Sequence, residues 1–142
     1  MRENFWGQEL APFVSLMEVK AALKKADVDQ NLLLVIYLLV SQINGCGYCI
    51  KLHTQECLDA GVPQAKVDAL ANWDNTDVFS DQEKAAFAWS EAMTRLENGG
   101  PSDSTYNAVK AHYSGDELVN LSFAVVTMNA LNRLAISFPI EA

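Results

Sequence analysis

Basic residues are scarce in this chain. Ten Lys plus Arg stand against 18 Asp plus Glu, with 2 His, and the formal charge is -8 over 142 residues. A surface of that sign repels phosphate backbones and anionic lipid headgroups, whose binding rests on neutralisation by cations. Neither a nucleic acid nor a membrane surface is therefore an expected partner. Cysteine is sparse and odd in number, at three. That is too few for a secreted disulfide scaffold and suits reduced thiols in a cytoplasmic protein. With only 7 Gly and 4 Pro, and half its residues hydrophobic, the chain is neither disordered nor collagen-like. Long apolar runs are missing too. The longest, Leu32 to Val40, falls well short of the ~20 residues that span a bilayer. Leu118 to Phe138 is longer but is interrupted by Asn120, Asn129, Asn132 and Arg133, so both segments read as buried core helices. The opening MRENFWGQEL carries acidic residues where a secretion signal needs an apolar stretch.

Strand signals are absent as well: no sustained alternation of period 2, and no hairpin turn between alternating runs. What remains is punctuation for helices. The sequence predicts a first helix from about Glu9 to Ala26, with Phe13, Leu16, Met17, Ala21 and Leu23 or Lys24 near one face. Asp27 and Asp29 are candidate N-caps for a second, from Leu32 to about Ile43 and buried on most sides. Asn44-Gly45 breaks it. A third runs from Cys46 to Ala60, with Gly61 as its left-handed stop. Pro63 suits the first turn of a short fourth ending near Trp73. Ser80 with Glu83, and Ser114 with Glu117, form capping boxes. The first opens a helix expected to end at Asn98-Gly99-Gly100, and the second opens a last helix from Leu118 to about Ser137. A short helix fits between Ser104 and His112. The fold class is all-α, about seven helices in a single domain over residues 1–142, without repeat or linker.

Chemistry concentrates in Gly45-Cys46-Gly47-Tyr48-Cys49-Ile50-Lys51-Leu52-His53. At about 100° per residue, Cys49, His53 and Cys57 fall within about 60° of Cys46 on either side. Cys46 and Cys49, at i and i+3, can form a disulfide with modest local adjustment. His53, one turn beyond Cys49, can take a thiol proton and then stabilise the thiolate, the nucleophilic form. The position at a helix N-terminus lowers a thiol pKa further. Three readings stay open. Both cysteines can be small core residues beside a satisfied histidine. A zinc site is a second reading, although one ion cannot reach both Cys46 and Cys57, about 16 Å apart on a helix. A dithiol redox site is the third. A thioredoxin-like assignment lacks the strand that should precede its motif.

Ser41-Gln42-Ile43-Asn44-Gly45-Cys46-Gly47-Tyr48-Cys49, followed by His53, resembles the core motif of the AhpD-like alkylhydroperoxidases within the carboxymuconolactone decarboxylase family. Asn129 to Ile136 resembles the family's C-terminal helix, Trp89 sits in a matching helical segment, and the likeness spans most of residues 5 to 138. It implies an all-helical AhpD-like domain that assembles into trimers or hexamers and reduces hydroperoxides through thiols. By this resemblance Cys49 attacks the peroxide, Cys46 resolves the sulfenic acid as a disulfide, and His53 belongs to the proton relay. An external dithiol is the implied reductant, and no metal or organic cofactor is implied. Family decarboxylases typically lack the cysteine pair.

One position departs from the pattern. The relay usually includes a glutamate twelve positions before the first cysteine, and here that position is Leu34. A basic residue often seen nearer the motif is also missing, with Leu39 in that stretch. Losing a general base costs roughly 10²–10⁴-fold in rate. Glu56, three residues after His53, can orient it, but the default reading is a solvated helix-face charge. Tyr37 reads as a core tyrosine before it reads as a proton carrier, and Cys57 as a buried structural cysteine. His112 is expected at a cap or on the surface. Trp6, Trp73 and Trp89 are expected as core or interface anchors. Ser122, Asn129 and Arg133 form a polar stripe on the last helix, for which a subunit interface, ahead of a site wall, is the expected source of partners. Two other function classes stay in view: a non-catalytic oligomeric binding or redox-sensing protein, and a non-redox decarboxylase-type enzyme.

Overall fold

The computed structural model describes residues 1–97 and 99–140. Among these it is all-α, with seven α-helices and no strand: α1 (Ala11–Leu23), α2 (Gln30–Asn44), α3 (Gly47–Asp59), α4 (Gln64–Ala69), α5 (Asp81–Thr94), α6 (Asp103–Lys110) and α7 (Gly115–Ser137). A 3-10 turn, Leu70–Asn75, follows α4.

The apolar run of the sequence becomes the central helix. Every residue of α2 from Leu32 to Val40 is buried except the partly buried Leu34, because α3, α5 and α7 all pack against it. The Asp29 side chain caps its start by accepting from the Leu32 N–H at 3.0 Å. Gly45 ends it in the left-handed region, at φ 70°, where a Cβ is strained. The other long apolar segment is α7, 23 residues and apolar enough by length and composition to cross a membrane. Here it is a core helix that packs on α1, α2 and α5 and buries Leu121, Ala124, Val125 and Met128.

Both capping boxes form as the sequence predicts. Ser80 accepts from the Glu83 N–H while Glu83 accepts from the Ser80 N–H, and Ser114 and Glu117 do the same. After α3, Gly61 takes φ 89°, and the Gly61 and Val62 N–H groups reach back to Leu58 and Cys57, a Schellman stop. Pro63 lies just outside α4 as its N-cap. Two ends come early. α1 stops at Leu23, where tight i to i-3 bonds carry Lys24, Lys25 and Ala26 out of the helix. α5 stops at Thr94, four residues before the expected Asn98, which itself lies outside the described residues. Arg95 is already extended there, and the buried Thr94 hydroxyl bonds back to the Ser90 carbonyl.

Candidate active site

The end of α2 and the start of α3 together place the two cysteines. The left-handed turn at Gly45 lets the Cys46 N–H bond the Ser41 carbonyl at 3.1 Å. Cys46 becomes the extended N-cap of α3, and its sulfur accepts from the Cys49 N–H at 3.4 Å. Cys46 and Cys49 are joined as a disulfide, with their Cα atoms 5.2 Å apart. Both are buried, within a small cluster that includes Ala135 and Trp6. Cys57, about two turns beyond Cys49 along α3, is a free thiol turned into the main core. Burial, then the nearby Glu56 charge, push that thiol up to about 11, so at neutral pH it is a protonated core residue.

His53 is only 3 % exposed, and its Nδ1 lies 3.0 Å from Glu56 Oε2. An ionised carboxylate can only accept, so Nδ1 carries the hydrogen and Nε2 keeps a free lone pair. Glu56 is therefore a bonded partner of the imidazole, not the solvated helix-face charge expected from sequence. Burial lowers the His53 pKa; Glu56 opposes that shift and Lys20 adds to it. The Tyr37 ring lies 5.6 Å from the His53 ring, and burial raises the Tyr37 phenol to about 12. It stays protonated.

Cys49 and His53 share the wall of an open-sided cavity of about 220 Å³, bounded by Trp6, α1, α7 and Ile140. Its remaining wall is mostly apolar, with Phe13, Met17, Leu52 and Met128, while Lys20 supplies a single cation among the described lining residues. Cys46 does not line this space. Leu34 faces a neighbouring cavity of about 540 Å³ on the other side of Lys20 and Tyr37, which Glu56 also lines. A carboxylate thus reaches the region beside Leu34 from α3.

Behind the disulfide lies a polar network. Asn44 Nδ2 donates to Asn129 Oδ1 at 3.0 Å and to Asn132 Oδ1 at 3.1 Å. Asn132 Nδ2 donates to Ser41 Oγ, and Asn129 Nδ2 to Thr94 Oγ1. Trp89 Nε1 donates to Ser122 Oγ at 2.9 Å, and Arg133 Nη1 to Asn129 Oδ1 at 2.8 Å. The polar stripe of α7 therefore finds its partners within the chain, where the sequence pointed to a subunit interface. His112 is exposed, as expected. Lys20 is the site residue that the sequence did not single out. The available signal was its register: it interrupts an otherwise apolar face three residues after Met17.

Residues 13–92 match the model of the carboxymuconolactone decarboxylase family. The uncharacterized protein YdfG of Bacillus subtilis is 30 % identical over 131 residues, covering 91 % of this chain and 89 % of YdfG. A protein of unknown function from Agrobacterium tumefaciens, described as a candidate antioxidant defence protein AhpD, superposes with TM-score 0.91 at 28 % identity, over 99 % of both chains. The debrominase Bmp8, also solved with 2,3,4-tribromopyrrole, shares the fold at 20 % identity and TM-score 0.81, over 91 % of this chain and 70 % of its own.

Proposed function

The chain belongs to the carboxymuconolactone decarboxylase family and is AhpD-like, and from that premise we propose that it is a thiol-dependent peroxidase working through Cys46 and Cys49. One observation carries this reading: Cys49 and His53 line a single cavity, with Cys46 behind it at disulfide distance. In the reduced protein His53 Nε2 takes the Cys49 proton. The thiolate attacks the terminal oxygen of a hydroperoxide, a sulfur–oxygen bond forms and the O–O bond breaks. The departing alkoxide takes the proton from the His53 imidazolium and leaves as an alcohol. The Cys46 thiol then condenses with the Cys49 sulfenic acid, forming the disulfide and releasing water. An external dithiol returns two electrons and two protons. This scheme balances without a metal or organic cofactor, and the apolar cavity wall favours an organic hydroperoxide.

The dithiol step suits a reducing compartment, so the cytoplasm is the proposed location. Assembly of identical copies into a trimer or hexamer belongs to the same proposal. Val119, Phe123 and Val126 support it, an exposed apolar stripe at helical spacing on α7, and light scattering would measure it.

The direct test is intact mass and thiol counting after one equivalent of an organic hydroperoxide, on reduced wild type, Cys46→Ser and Cys49→Ser. The expected products are a Cys46–Cys49 disulfide in wild type and a sulfenic acid on Cys49 in Cys46→Ser. Three free thiols in wild type and two in each variant after treatment would refute the reading. The reduced protein is also offered 2,3,4-tribromopyrrole, because a dithiol can equally deliver two electrons to a carbon–bromine bond. Bromide release without reaction toward peroxide would replace peroxidase by debrominase.

A further inference from the structure

The cycle above leaves unused the one cation among the described residues lining the Cys49 cavity. Lys20 reaches it from α1 and also lines the second cavity with Tyr37 and Glu56. Its Nζ sits over the Tyr37 ring, 5.5 Å from the centroid. That ring in turn lies against His53, whose Nδ1 meets Glu56. Lys20 therefore lines both spaces, one holding the thiol and the imidazole and the other the carboxylate. Packing alone does not call for lysine here. Phe13 and Met17 on the same face of α1 line the cavity without a charge, and half-burying an ammonium costs solvation. Among the described residues no carboxylate forms an ion pair with it. The face of the neutral Tyr37 ring holds the ammonium in place without cancelling its charge.

We propose that Lys20 is a positioning residue of the thiol site, its ammonium biasing Cys49 toward thiolate and His53 toward the neutral imidazole that accepts the thiol proton. This rests on the reading of Cys49 as the attacking thiol. A cation at this position favours both charge states the first step needs, an anionic sulfur and an uncharged His53. Burial lowers the Lys20 pKa, Glu56 opposes that shift and Lys24 adds to it, while Lys20 in turn acts to lower the His53 pKa. The other titratable groups facing Lys20 are few. α1 brings Lys24, α2 brings Tyr37, and α3 brings His53, Glu56, Asp59 and, at the mouth, Tyr48. Lys24 and Asp59, of opposite sign, line only the second cavity. α7 and the N-terminal segment present apolar side chains to the thiol.

The test is the pH dependence of Cys49 alkylation by iodoacetamide in the reduced protein, read by peptide mass, in a Cys46→Ser background. Lys20→Met removes the charge and keeps the length, Lys20→Gln guards against a Met variant that fails to fold, and Lys20→Arg keeps the charge. The expected result is an apparent thiol pKa raised by about one unit in Met and Gln, with alkylation at neutral pH slowed roughly tenfold, and an Arg profile close to wild type. Met and Gln profiles that overlay wild type would overturn the proposal. So would an Arg profile displaced as far as Met, which would mark a packing effect. Alkylation needs no peroxide, so the two readings fail separately. A protein inert to hydroperoxide whose Cys49 profile still moves with Lys20 supports the role of Lys20 and refutes the peroxidase cycle.

Discussion

Glu56→Gln isolates the part that orientation of the base plays in this site. His53 is 3 % exposed and Glu56 33 %, with Nδ1 and Oε2 at 3.0 Å. Gln keeps the length and one acceptor oxygen, so the ring can stay in place while the charge opposite it disappears. A hydrogen bond to a charged group contributes about 1.5–3 kcal/mol, and solvent screening at a carboxylate this exposed reduces that to about 1–1.5 kcal/mol. If this contribution is expressed in the proton-transfer step, the rate of Cys49 oxidation falls roughly five- to twelvefold. The pH profile carries a second signature. Glu56 holds the His53 pKa up against burial, so its removal moves the acid limb of the profile to lower pH. The assay is a single turnover of reduced protein with an organic hydroperoxide, acid-quenched and counted for thiols across pH. An unchanged rate with an unmoved acid limb, in a variant that folds normally, would refute the assignment of Glu56 as the partner of a working base.

Three further outcomes follow from the packing. Asn132 is fully buried and bonds both Ser41 and Asn44, so Asn132→Ala should lose about 2–4 kcal/mol of stability in urea unfolding; a loss under about 0.5 kcal/mol would show the network is not supporting the fold. Gly45→Ala meets no atom within 4 Å at its Cβ but must hold φ +70°, so its cost is backbone strain alone, about 1 kcal/mol, read as a melting temperature lower by several degrees. The third concerns pH. Burial lowers the His53 pKa, so below about pH 6.5 the unfolded chain binds a proton that the folded one refuses, and stability falls with falling pH. Cys57 is raised to about 11 and Tyr37 and Tyr113 to about 12, so above about pH 9 the unfolded chain releases protons that the folded one keeps, and stability falls again up to about pH 12. Urea midpoints across pH should trace a plateau between those limits; a maximum near pH 5, or no alkaline loss, would contradict it.

The parts of this fold that the sequence announces are those whose causes are local. A Ser with a Glu three residues on, Asn44-Gly45 and Gly61 act within one helical turn, and each lies where its chemistry predicts. The common face of Cys49 and His53 likewise follows from helical periodicity, whereas Cys46 and Cys57, expected on the same face, lie off the cavity, one as the extended N-cap and the other in the main core. The early end of α5 does not, because Thr94 is engaged by Asn129, 35 residues away. The polar stripe of α7 misleads for the same reason. Ser122 and Asn129 meet Trp89, Thr94 and Asn44, between 33 and 85 residues distant, and no periodicity encodes such pairings. Glu56 is an intermediate case. Its spacing from His53 allows the contact, but only the burial of His53 against Tyr37 turns that permission into a bond.

The two cysteines differ in ways that divide the work of the proposed cycle. Sequence position alone favours Cys46, at the positive end of α3, as the more acidic thiol, whereas His53 favours Cys49. The structure separates these advantages in space. Cys49 meets the cavity, and Cys46 sits behind it as the N-cap with its sulfur on the Cys49 N–H. A thiolate at a helix N-terminus is stabilised, and in thiol–disulfide exchange the more acidic thiol leaves faster. The advantage of Cys46 therefore serves the return step: an external dithiol entering the cavity attacks Cys49 and expels Cys46. A Cys46→Ser protein, activated at Cys49 as a mixed disulfide with a small aromatic thiol, should then exchange with an added monothiol and hold it on Cys49. In Cys49→Ser the same treatment should leave Cys46 largely unlabelled, because its sulfur does not face the cavity. Equal labelling of Cys46 in that variant would refute the division.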